Sequence, residues 1–193
     1  MQTPENTIRR RPFCRLFLAV GLAPLAACQA LTPGSSVQVG EVFGPLPADA
    51  GVALLPVANY TDVPQAGLRA LSLLEPALRL RGVQRLLLYP SRLGNESLFE
   101  PGEQKAQESA LTWAREQGAR YAVLAAVNEW RYKTGIDGEP AVGLALQVRD
   151  LGNDQTVYAA SGGRTGWARE SLAAVAQQLI HELLTGWRRS SGR

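Results

Sequence analysis

The chain has 193 residues, with 20 Lys and Arg against 17 Asp and Glu, one His and two Cys. So little imidazole and thiol excludes a metal centre built on His and Cys, which needs several such ligands. Residues 1–27 carry four of the Arg and one of the Glu, leaving 16 basic and 16 acidic side chains in the rest. That neutral remainder argues against nucleic acid as a partner and against an electrostatic grip on anionic lipid.

The N-terminus carries the first signal. Arg9, Arg10, Arg11 and Arg15 precede an apolar run from Phe17 to Ala27, broken only by Gly21 and Pro24. A basic head, a short apolar stretch and small residues before a cut site make a secretory signal peptide over residues 1–27. The run is too short to span a bilayer, which takes about 20 apolar residues. Leu25-Ala26-Ala27-Cys28 resembles the bacterial lipobox, in which the peptidase cuts before the cysteine and the thiol carries a diacylglycerol. Cys14 leaves with the signal peptide, so Cys28 has no disulfide partner in an oxidising compartment. Cys28 is therefore expected to be a lipid anchor, and Gln29 after it favours sorting to the outer membrane by family analogy. Two or more acyl chains anchor stably where one is marginal.

Residues 28–50 are rich in Gly, Pro, Ser and small side chains and read as the lipidated Cys followed by a flexible linker. Residues 51–188 are expected to form a single α/β domain, and 189–193 a tail. Within it, 51–60 is a short apolar strand strained by Pro56. Residues 61–82 read as loop then helix, with Leu68, Leu71, Leu74 and Leu78 at helical spacing and Pro76 kinking or breaking it. A second strand follows at 83–90, a loop at 91–102 and a helix at 103–119, with Ala106, Ala110, Trp113 and Ala114 on one face. Three strands come next, at 120–135, 139–152 and 154–166, joined by turns at Ile136-Asp137-Gly138 and Gly152-Asn153-Asp154. Residues 167–189 close the chain as an amphipathic helix. The order β-α-β-α-β-β-β-α predicts an α/β fold: a mixed parallel and antiparallel sheet with flanking helices.

Catalytic patterns are weak. His181 stands alone beside Ile180 and Leu183 and reads as a helix-surface or half-buried residue. No serine has the base and orienting group that a nucleophile requires. "SGGRTG" (161–166) lacks the phosphate-loop spacing and reads as a flexible turn before the last helix. Glu129, Asp137, Glu139 and Asp150 could pair as carboxylates for glycoside hydrolysis, but acids on strands and hairpins are more often solvated. No metal and no cofactor is expected. Trp167 sits between a glycine-rich turn and a helix; it is either a staple on the helix N-terminus or an indole exposed at a lipid interface.

"ALLPVANYTDVPQAG" (53–67), "RGVQRLLLYP" (81–90), "GEPAVGLALQVRDL" (138–151) and "ASGGRTGW" with "RESL" after it (160–172) together resemble the PelC family, outer-membrane lipoproteins of Pel exopolysaccharide export. The likeness runs in order from about residue 51 to 185. The opening motif alone is also similar to curli secretion lipoproteins, the TolB N-terminal domain and lipoprotein activators of peptidoglycan synthases. The resemblance implies a non-enzymatic subunit of a ring, taken to be a dodecamer, on the periplasmic face of the outer membrane. It implies a β-barrel exporter with a TPR region as partner, and an amino-sugar polysaccharide, cationic where deacetylated, as cargo. It places Trp167 at the membrane and Asp137 and Glu139 on an acidic surface facing the polymer. The alternative is a monomeric lipoprotein that activates or tethers a cell-envelope enzyme.

Overall fold

A computed structural model of the chain describes residues 34–40, 46–47, 49–90, 103–135 and 138–187, with only the backbone course for 103–105. The expected signal peptide, Cys28, the expected loop 91–102, Asp137 and the expected tail lie outside the described residues.

One sheet organises the domain. Its strands are β1 (Ser35–Val39), β2 (Val52–Leu54), β3 (Ala58–Asn59), β4 (Leu86–Leu88), β5 (Tyr121–Tyr132), β6 (Pro140–Asp150) and β7 (Thr156–Thr165). The order across it is β1-β7-β6-β5-β2-β4, with β3 continuing beside β5. β2 is parallel to both β4 and β5, while β5, β6, β7 and β1 form an antiparallel meander. The expected α/β fold with a mixed sheet is the observed one. Pro56 divides the first strand into β2 and β3, as a residue without an N–H must inside a ladder.

Three helices, α1 (Ala66–Leu80), α2 (Glu103–Glu116) and α3 (Leu172–Leu183), flank this sheet. A right-handed crossover fixes the face each of the first two must take. The step from β2 to β4 runs one way along the sheet and the step from β4 to β5 runs back, so α1 and α2 fall on opposite faces. α1 and α3 share the first face. Ala66, Ala70, Leu74 and Leu78 of α1 and Val175, Ala176, Leu179, Ile180 and Leu183 of α3 bury with Val52, Val123, Val127, Val142, Leu144, Leu146 and Val148 beneath them. α2 covers only part of the second face, where Ala110, Leu111 and Ala114 pack on Ala53, Leu55, Ala122 and Leu124.

Two expectations are corrected and two readings left open are decided. The stretch read as linker contributes β1, whose backbone pairs with β7 from Ser35 opposite Arg164 to Val39 opposite Ala160. A strand of small and polar residues needs no apolar face when it only extends an edge, so composition hid it. "SGGRT", read both within the 154–166 strand and as a turn before the last helix, is the second half of β7. Pro76 does not split its helix, which runs for 15 residues. The lost hydrogen bond and ring clash cost about 3 kcal/mol, but Leu74 and Leu78 on either side are both buried, each worth about 1.5–3 kcal/mol. The last helix is shorter than 167–189. It starts after Ser171, whose hydroxyl accepts from the Ala174 N–H at 3.1 Å, the usual N-cap arrangement.

β1 can lie against β7 because residue 162 is glycine. A Cβ at Gly162 would meet the Ser36 carbonyl oxygen at 2.6 Å and Val37 Cγ2 at 2.9 Å. The neighbouring Gly163 is open, with only the Val142 oxygen at 3.8 Å. Gly162→Ala is therefore expected to destabilise the domain by about 1–3 kcal/mol through overpacking, read as a lower urea midpoint. Gly163→Ala should stay within about 0.5 kcal/mol of wild type, as ordinary non-clashing changes do.

The meander is tied to α3 by a buried phenol. The Tyr158 hydroxyl donates to the Leu183 carbonyl, and its ring meets Trp187 edge-on at 6.0 Å. Burial pushes the Tyr158 hydroxyl above its ordinary value of 10.0, against smaller opposing effects of Arg81 and the Gly186 backbone. A raised folded-state pKa means that the neutral form stabilises the fold; that contribution is whole below pH 10.0 and is lost as pH rises through the folded value. Tyr158→Phe should cost about 1 kcal/mol at neutral pH and flatten the fall in stability above pH 10.0, as measured by thermal unfolding across pH.

Candidate functional site

The predicted site residues fall into two groups. Cys28 and Asp137 are outside the described residues. Glu139 and Trp167 come to one end of the sheet, where the Gly166 N–H donates to the Pro140 carbonyl at 2.9 Å. The Glu139 side chain is partly exposed and faces Lys133 Nζ at 3.9 Å, so a cation offsets part of its charge. Trp167 is 50% exposed. Its N–H donates to a Glu170 carboxylate oxygen at 2.7 Å, the Glu170 N–H donates to the Trp167 carbonyl at 3.0 Å, and the Tyr132 hydroxyl donates to the Glu170 carbonyl at 3.4 Å. These bonds, made by the Trp167 backbone, hold the turn, and the residue stays half in solvent.

The remaining acids do not gather. Glu129 pairs with Arg131 at 2.9 Å. Asp150 is 5% exposed, pairs with Arg120 at 2.7 Å and accepts from the Gly152 N–H at 2.8 Å. Arg120 is held more firmly protonated than usual, first by its hydrogen bond to Tyr121 and then by the Asp150 charge. His181 is exposed on α3, where Arg81 donates to its carbonyl at 2.9 Å. Among the described residues no three His, Cys, Asp or Glu side chains converge as metal ligands.

A different surface emerges on the second face, beyond the reach of α2. There β1, β7, β6 and the end of β5 floor a groove of about 710 Å³. A β-bulge shapes it. Val127 is opposite Leu144 and Glu129 opposite Gly143, so Asn128 is the extra residue. The bulge shifts the alternation by one. Tyr121, Val123 and Val127 point to the first core before it, and Trp130 after it. Glu129 and Arg131 are thereby turned to the second face beside Gly143. Bulges re-aim side chains in this way and cluster near functional sites.

The groove wall comes from the loop after β3. Asn59 Nδ2 donates to the Val63 carbonyl at 2.9 Å, and its Oδ1 accepts from the Thr61 N–H at 3.1 Å and the Thr61 hydroxyl at 2.7 Å. The Tyr60 N–H donates to the Val127 carbonyl at 2.9 Å. This network fixes the loop while leaving the Tyr60 side of it 62% exposed. The sequence carried partial signals of the groove. Three separate segments, 53–67, 138–151 and 160–167, supply Tyr60, Thr61 and Asp62, Gly143 and Leu144, and Ser161, Gly162 and Gly163 to it. Reading "SGGRT" as a turn removed its floor.

The fold and its surfaces define a class: a small α/β domain on a mixed sheet, half covered on one face, with a recessed polar surface there. Comparison with known proteins sharpens this. A PelC from Paraburkholderia phytofirmans, solved as a dodecamer, is 36% identical with a TM-score of 0.69 over 82% of this chain and 100% of that one. A single-substitution variant of that PelC, also a dodecamer, is 37% identical with a TM-score of 0.66 over 79% of this chain and 96% of its own. The chain belongs to the PelC family. Lipoprotein GNA1162 from Neisseria meningitidis shares the fold at 15% identity and a TM-score of 0.51, over 70% of this chain and 95% of that one. No protein-family model and no curated protein matches the chain.

Proposed function

We propose that this chain is an outer-membrane lipoprotein, anchored through Cys28, whose domain closes with copies of itself into a periplasmic ring. The ring guides a cationic amino-sugar exopolysaccharide to a β-barrel exporter and does no covalent chemistry on it. The observation that carries this reading is the match, over its whole length, of a PelC that forms a dodecamer.

The residues give the reading its physics. A closed ring needs a heterologous interface, with two different patches per subunit. The two sheet edges, β1 and β4, are two such patches. Trp167 is the membrane-facing aromatic: an apolar ring with a polar tip, on a half-exposed residue whose backbone N–H Glu170 holds, suits the headgroup layer. Asp137 and Glu139 belong to the acidic surface along the polymer path. Individual exposed acids hold a cation weakly, and around a ring their summed field concentrates and steers the chain without trapping it.

Cys28→Ser tests the anchor and the function together. The variant is expected to lose metabolic labelling by a palmitate analogue, to appear in the soluble periplasmic fraction, and to lower secreted polymer at least about tenfold, since a single chain or none gives only marginal membrane residence. Wild-type export from an unlabelled, soluble variant would contradict the proposal.

A further inference from the structure

The groove on the second face is not explained by anchoring or by the acidic hairpin. Its floor at Gly143 and Gly163 lacks side chains, and its rim carries Tyr60, Asp62, Asn128, Gln38 and the Glu129–Arg131 pair. The fold does not require that rim. Tyr60 is left 62% exposed on a loop whose backbone is fully tied down, and Asp62 pairs with none of the cations among the described residues. At about 710 Å³, the recess lies within the range of about 300–1,000 Å³ usual for sites that hold small ligands.

We infer that this groove is a binding subsite for a short segment of amino-sugar polymer. This rests on the export reading and names a place for the cargo that the hairpin acids do not supply. Tyr60 offers a flat apolar face to the C–H face of a sugar ring. Asn128 and Gln38 offer paired donors and acceptors for ring hydroxyls and acetamido groups. Asp62 faces the ammonium of a deacetylated unit, and Glu129 keeps Arg131 from repelling it. The backbone floor lets a polymer lie flat rather than enter end-on. A second copy of the chain suits this recess less well. Interface cores are depleted of charge, whereas this one would have to dry an ion pair, a free carboxylate and two amides at once.

The experiment is titration calorimetry on the mature full-length chain in mild detergent, with hexamers of glucosamine and of N-acetylglucosamine as probes. Assembly mass is measured on each variant alongside. Both hexamers should bind wild type, and Tyr60→Ala should weaken both about tenfold, as losing a stacked aromatic contact does. Asp62→Asn should weaken only the glucosamine hexamer. Gly163→Val should block both, because a Cβ there meets nothing closer than 3.8 Å and the side chain would stand on the floor without disturbing the sheet. Failure of wild type to bind either hexamer overturns the inference, as do variants that bind like wild type. A variant that changes the assembly mass assigns the groove to a subunit contact and also overturns it. A monomeric wild type that still shows the expected pattern would sink the ring and leave the groove standing.

Discussion

The handedness of two crossover connections decides the rest of this molecule. β2 steps outward to β4, and the chain then steps back past β2 to β5. Right-handed connections in opposite directions send their helices to opposite faces. α1 takes the first face, where α3 later joins it, and α2 is left alone on the second. One helix cannot cover seven strands. The strands β6, β7 and β1 and the end of β5 therefore keep a face that no described helix covers, and the groove lies there. The surface available for function is a consequence of topology before it is a matter of side chains.

Most of the core was legible because burial writes a period into sequence. In β6, Val142, Leu144, Leu146 and Val148 alternate with Gly143, Ala145, Gln147 and Arg149, and those four are all buried. The helical spacing of Leu74 and Leu78 gave α1. Positions that face no core leave no such trace. β1 has the burial pattern of an edge strand, mostly exposed, and its Ser, Gln and Val read as linker. "SGGRT" carries glycines that usually mark turns, yet Gly162 is glycine because β1 crosses it closely. Ala106 was expected beside Ala110 and Ala114 on the buried face of α2, but it is exposed, since only the later turns of that helix lie over the sheet. The bulge at Asn128 is half legible: residues 121–127 are an apolar run and polar residues enter from Asn128 on, which marks the place but not the rotation of Glu129 and Arg131 onto the second face.

The candidate site was read unevenly for the same reason. Trp167 stood out because a large aromatic between a glycine and a helix start has few structural uses, and it is half exposed. The acids were chosen by residue type alone, and geometry sorts them differently. Glu139 has Lys133 beside it, Glu129 has Arg131, and Asp150 is a buried brace for the β6–β7 turn. Asp62, which lacks such a partner among the described residues, sits on a loop that looked like a mere lead-in to α1. Spatial convergence of Tyr60, Gly143 and Ser161 could not be seen in segments about eighty and twenty residues apart without the register of β5 against β6 and β6 against β7.

Membership of the PelC family, whose solved members are dodecamers, joins these features into the account proposed above, a small domain that works by repetition around a ring. The measurement that tests this most directly is the mass of the mature, lipidated chain in mild detergent, by native mass spectrometry or light scattering over a range of concentrations. A single closed species of dodecameric size, as in the relatives of known structure, is the expected result. A clean monomer at every concentration would contradict it, and would leave the domain as a tethered adaptor for another envelope protein.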